Sequence, residues 1–260
     1  ASSNNSDLTA NSISIDAADE SAIASLAGTV ALSAKSTALG ASVSVSNIAN
    51  TTSASLQDGS VNTAGDIRVN AASDAIIETI AVAGGAGKKV AVGISVTVNE
   101  ISNATDATLS GTAFEQSAAN LELAANDNST IKSLAGSLNG AGKVAVGAAV
   151  AINMMENQVK AWLNDLTNLA VTNTVNVDAS NDSTIEAIAV AGGAAGKVAF
   201  NGSATVNLMA NTTEAKVANV ESEIKAAVIS VNASDDSSIQ SLAGAVGGAG
   251  KGAVGAAVAV

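Results

Sequence analysis

The chain has 260 residues, a formal net charge of −12, one Trp, two Phe, and no Pro, Cys, His or Tyr. Without Cys or His there is no route to a disulfide framework, zinc ribbon, iron–sulfur cluster, Ser–His–Asp triad or imidazole base, and 1% aromatics make no base-stacking platform. The acidic balance repels phosphate backbones and anionic lipid surfaces, so neither nucleic acid nor membrane insertion is expected, while 47% apolar residues argue against disorder.

In chain order, residues 1–11 carry no basic or apolar leader and resemble the tail of a preceding repeat. From there one pattern recurs. Lys35, Lys89, Lys143, Lys197 and Lys251 are spaced by 54 positions, as are Ile13, Ile67, Leu121, Val175 and Ile229. Asn103, Asn157 and Asn211 keep the step, but Asn50 precedes Asn103 by 53, a register shift in the first unit. Five coincident copies predict an array with units at 12–65, 66–119, 120–173, 174–227 and 228–260, the last partial. We read it as a piece of a longer array, because solenoids need polar caps and none is written here.

Within the unit 66–119, Ile67, Val69 and Ala71 alternate with polar residues and predict a strand. Ser73–Asp74 is expected to turn, as are Asp127–Asn128, Asn181–Asp182 and Asp235–Asp236. A second strand is expected over 76–83, a glycine turn over 84–87, and a third strand where Val90, Val92, Ile94, Val96 and Val98 alternate with small residues. Frequent Gly and β-branched residues argue against helices, and 54 residues is short for a β-sandwich without aromatic core markers. Ile67, Val69 and Ala71 also map 27 residues on to Ile94, Val96 and Val98. The fold expected is therefore all-β: a right-handed parallel β-helix with about two coils per 54-residue repeat, forming a rod about 45 Å long.

In such a stack the Ile, Val and Leu columns point inward, and the Asn column bonds the backbone of the next coil. Small residues in the third strand then point outward. Ala91, Gly93, Ser95 and Thr97 form the first row, Ala145, Gly147, Ala149 and Ala151 the second, and Ala199, Asn201, Ser203 and Thr205 the third. A flat uncharged strip suits lateral packing of rods; the alternative is a surface with no partner. Trp162 aligns with Thr108 and Lys216, points outward, and is a candidate glycan contact. The lysine column reads as a solvated ridge, with acidic polysaccharide the alternative ligand. Segments such as GGAGK (84–88) lack the first Gly and the Ser or Thr of a phosphate loop. No cofactor, metal or catalytic residue is expected.

The stretches STIKSLAGSLNGAGKVAVGAAVAINMMENQVKAWL and SSIQSLAGAVGGAGKGAVGAAVAV resemble the repeat regions of giant bacterial exoproteins, the filamentous-haemagglutinin-like and leukotoxin-type adhesins, many of them autotransporters. The resemblance implies a cell-surface or secreted location and a structural β-solenoid shaft that is not an enzyme. It would support adhesion or cell–cell association through self-association or a host or neighbouring cell surface. A glycan-binding solenoid module and a polysaccharide-acting β-helix enzyme are the other readings.

Overall fold

A computed structural model describes residues 1–221 and 224–260, with no helix among them. Strand β1 (Ser2–Thr9) precedes a first full coil of β2 (Ile13–Ser33), β3 (Thr37–Ile48) and β4 (Thr51–Asn62). The second coil is β5 (Ile67–Gly87), β6 (Val90–Ile101) and β7 (Ala104–Phe114); the third is β8 (Ala118–Ala141), β9 (Val144–Met155) and β10 (Gln158–Leu166). The fourth is β11 (Val171–Ala195), β12 (Val198–Met209) and β13 (Thr212–Val220), and the last comprises β14 (Val228–Asp235), β15 (Ser238–Ala249) and β16 (Gly252–Ala259).

Every strand pairs in parallel with its equivalent in an adjacent coil, which builds three sheets. The long sheet is β2-β5-β8-β11, closed by β14 and β15; the other two are β1-β4-β7-β10-β13 and β3-β6-β9-β12-β16. The chain is thus a parallel β-solenoid, as expected. The coil count differs. Ile67 pairs with Leu121 and Ala104 with Gln158, so one coil consumes the whole 54-residue repeat. Five coils at about 4.8 Å span about 24 Å, half the expected rod. The 27-residue similarity misleads because an odd offset exchanges the two faces of a strand.

The first-unit register shift is a single extra residue in one turn. Ile13 pairs with Ile67, 54 on, but Thr37 pairs with Val90, 53 on. Three residues, 34–36, bridge β2 and β3, where Lys88 and Lys89 suffice between β5 and β6. The Lys89 N–H therefore donates to Ser36 O (2.9 Å), and Lys35 sits in the enlarged turn outside the ladder. The later lysines do stack: the Lys143 N–H donates to Lys89 O and the Lys197 N–H to Lys143 O.

Coil shape follows from strand length. β6 and β7 together match β5, so the triangle is flat, with the long sheet forming one wall and the two shorter sheets the other. The Asp/Asn pairs expected to turn lie inside this wall. Asp127–Asn128 and Asn181–Asp182 continue the strand, and only Asp236–Ser237 in the last coil interrupts it. Left-handed backbone occurs in another column, at Asn5, Asp58, Gly111, Asp165 and Asn219, with φ from 50° to 60°. These are the residue types that tolerate it.

Two interiors result. Beneath the β1-β4-β7-β10-β13 sheet lies a core of large side chains including Leu109, Phe114, Leu121, Leu163 and Val177. Beneath the β3-β6-β9-β12-β16 sheet the walls converge on the Lys88–Lys89 turn, and side-chain size tapers with them. Inward residues of β5 run Ile77, Thr79, Ala81, Ala83, Gly85 toward the turn; those of β6 run Ala91, Gly93, Ser95, Thr97, Asn99, Ile101 away from it. At the tip a Cβ on Gly85 would lie 3.5 Å from that of Ala91. We predict that each appended 54-residue repeat lengthens the particle by about 4.8 Å, measured by small-angle scattering on a repeat series; about 9.6 Å per repeat would restore the two-coil winding.

Candidate interaction surface

The taper reverses the polarity expected for the third strand. Ala91, Gly93, Ser95 and Thr97 are buried and point inward, as do Ala145, Gly147, Ala149 and Ala151, and Ala199, Asn201, Ser203 and Thr205. No lateral contact can use them. Alternation alone does not say which set faces in, and here the gap between the walls decides: only small side chains fit.

The larger residues consequently face out. The exposed side of the β3-β6-β9-β12-β16 sheet carries Val92, Val96, Val146, Val150 and Phe200, with Glu100 its only charge among the described residues. The second half of the long sheet presents Ile80, Val82, Leu134, Leu138, Ile188 and Val190; Leu138 is 72% and Ile80 43% exposed. Scattered apolar surface is ordinary, but two continuous apolar faces on one lobe single it out as the candidate interaction surface. One hollow of about 500 Å³ lies on the long sheet over Gly84 and Ala86, walled by Val30, Val82 and Leu138.

The interior of this lobe mixes small apolar clusters around Ile131 and Ala149 with poorly paired polar groups. The hydroxyls of Ser95, Thr97, Ser133 and Ser137 and the amides of Asn139 and Asn201 are buried without a hydrogen-bond partner. Each such group costs about 1–3 kcal/mol. Asn139 and Asn201 occupy space left by glycines: a Cβ on Gly93 would lie 2.4 Å from Asn139 Oδ1, and one on Gly193 2.6 Å from Asn201 Oδ1.

Between the two interiors runs a satisfied polar spine. Asn50, Asn103 and Asn157 each donate their backbone N–H to the side-chain oxygen of an asparagine in the next coil: Asn103 (3.2 Å), Asn157 (3.1 Å) and Asn211 (3.0 Å). This is the expected cross-coil bond, made without left-handed backbone at these asparagines. The Asn157 amide donates to Asp127 Oδ1 (2.7 Å), which also accepts from Ser129 Oγ (2.6 Å). Burial raises the Asp127 carboxyl above its ordinary value of 3.8, opposed by the hydroxyl and amide donors around it.

Trp162 lies on the outer side of β10 and pairs with Thr108 and Lys216, as aligned. Lys160 and Lys216 place their ammonium groups 5.0 and 5.5 Å from its ring centroid. Both are within cation–π range, so the ring is engaged within the protein rather than presented bare to a sugar. The GGAGK segment is the end of β5 and its turn, not a loop cradling an anion. No family model, curated protein or solved structure matches the chain.

Two outcomes check these assignments. Ala149→Leu overpacks the tapered interior and should lower stability by about 1–3 kcal/mol, whereas Val150→Leu on the outer side should stay within about 0.5 kcal/mol; urea unfolding reads both. Asp127→Asn removes a carboxyl whose folded-state affinity for a proton exceeds its unfolded one, so native Asp127 loses stability as pH rises above 3.8. The variant should therefore match wild type in strong acid and exceed it increasingly toward neutral pH in melting temperature.

Proposed function

We propose that the chain is a length of the structural shaft of a bacterial surface or secreted fibre of the adhesin type, holding apart or joining what its ends carry. What supports this is the regularity of the stack. Each strand from β2 to β12 meets its counterpart in the next coil through a parallel ladder, with a register shift within a strand beside Val171 in β11. An enzyme built on such a scaffold needs acids and bases gathered in a cleft that breaks the repeat. Here two ion pairs cross the coils of the long wall instead, Arg68 with Glu122 (2.6 Å) and Lys132 with Glu78 (3.5 Å), both on the open surface. Such exposed pairs add little to stability and mark a solvated wall. The role is mechanical: cross-coil backbone bonds resist shear and keep spacing constant. Glycan recognition draws no support from Trp162, whose ring already has two lysines over it.

The reading is tested on intact cells of the source bacterium with antibody raised against the chain. Labelling of filaments outside the cell is expected, with purified protein releasing no sugar from acidic polysaccharides. Label confined to the cytoplasm, or polysaccharide cleavage lost on mutation of a single carboxylate, would overturn it.

A further inference from the structure

The outer side of the long sheet carries a second, slower periodicity. One outward column reads Gly28, Val82, Gly136, Val190, Gly244. The column two residues further along the strands reads Val30, Gly84, Leu138, Gly192, Val246. Large and absent side chains thus alternate from coil to coil, and the two columns alternate out of phase. In every coil one position is filled and its neighbour is empty. Glycine conformation and backbone crowding do not explain this: an added Cβ would meet its nearest atom at 3.5 Å at Gly84 and 3.7 Å at Gly136, would meet nothing at Gly28, and at Gly192 would lie 3.1 Å from the movable end of the Leu138 side chain.

A pattern of this kind is complementary to itself under one operation. A two-fold axis parallel to the stacking direction, passing between the two columns, brings each column opposite the other in the same coil of a second molecule. Val82 then faces Gly84, Leu138 faces Gly136, Val190 faces Gly192, and so on through all five coils. In the second to fourth coils the flanking columns follow suit, Ile80 opposite Ala86, Leu134 opposite Gly140 and Ile188 opposite Ala194, while in the first coil two large side chains, Leu26 and Leu32, meet at the end of the strip. At the rim, Glu78 comes opposite Lys88, charges of opposite sign. The hollow over Gly84 and Ala86 is where Val82 and Ile80 of the second copy would seat. The outer face of the β3-β6-β9-β12-β16 sheet has columns that keep Val in most coils, such as Val43, Val96, Val150 and Val258, and shows no out-of-phase alternation, so it does not specify a partner in this way.

We propose that the occupant of this strip is a second copy of the chain, packed in parallel and in register, face to face, about a two-fold axis running along the stack. Seven residues by five coils give about 550 Å² on each molecule, or about 1,100 Å² in all, which clears the roughly 1,000 Å² expected of a specific interface. Each further coil adds to it. Pairing also covers the lobe whose own interior holds unpaired polar groups, supplying outside the coil the apolar burial that its narrow inside cannot. The inference goes beyond the shaft role: a single rod could still be a shaft, so failure here leaves that reading untouched.

Sedimentation equilibrium over a hundredfold concentration range should give twice the chain mass for the wild type. Filling the empty positions with Gly84→Val and Gly136→Val, or charging the filled ones with Val82→Glu and Leu138→Glu, should return the chain mass with unchanged far-ultraviolet circular dichroism. Spin labels at Asp16→Cys in the first coil and Ala124→Cys in the third should report equal separations between molecules. A monomeric wild type, a dimer surviving both pairs of substitutions, or end labels further apart than central ones, as the axial offset of about 19 Å between end coils of an antiparallel pair would make them, would overturn the proposal. So would a monomer that floats with phosphatidylcholine vesicles, since lipid would then be the occupant.

Discussion

The parallel ladder between successive coils is the constraint from which the rest follows. A backbone group in one coil is satisfied by the equivalent group 54 residues away, or 53 where the first turn is enlarged. Residues in the same column must then share a backbone conformation, a direction and nearly a volume. The column at Asp58, Gly111, Asp165 and Asn219 shows how strict this is: the residue changes, but always among the types that accept positive φ. The ladder accommodates an extra residue at a corner, as at 34–36, where three bridging residues replace two, or at the very start of a strand, as beside Val171.

The same ladder imposes a division of labour across the coil. Where the walls stand apart, Leu, Phe and Val fill the space in the ordinary way. Where they converge, filling requires Ala, Gly and Ser, and the β-branched residues that give the strands their propensity have nowhere to go but outward. The Asn–Asp–Ser spine marks the border. It bonds coil to coil with side chains and keeps polar groups satisfied where the two packing regimes meet.

Much of the fold was legible. Repeat length, strand character, the Asn bond to the next coil and the outward direction of Trp162 follow from column arithmetic, because stacking makes sequence periodicity a spatial property. Coil size and face polarity did not follow. The 27-residue echo is chemical rather than spatial, linking inward Ile67, Val69 and Ala71 to outward Ile94, Val96 and Val98. A readable signal was present in the graded run Ile77, Thr79, Ala81, Ala83, Gly85 and its mirror after the turn, since a progressive loss of volume on one face indicates converging walls. The Gly/Val alternation was also in the sequence, but it becomes a surface only once those columns are known to face out.

The flattened outline of each coil sets how a longer stack would deform. A wall of 21 residues is about 70 Å broad, against sheets packed about 10 Å apart. An object of that section is a plank rather than a cylinder. Its flexural rigidity is far greater edgewise than across its thin dimension, so thermal bending and twisting would concentrate in one direction, and a tethered array would yield to load from one side while resisting it from the other.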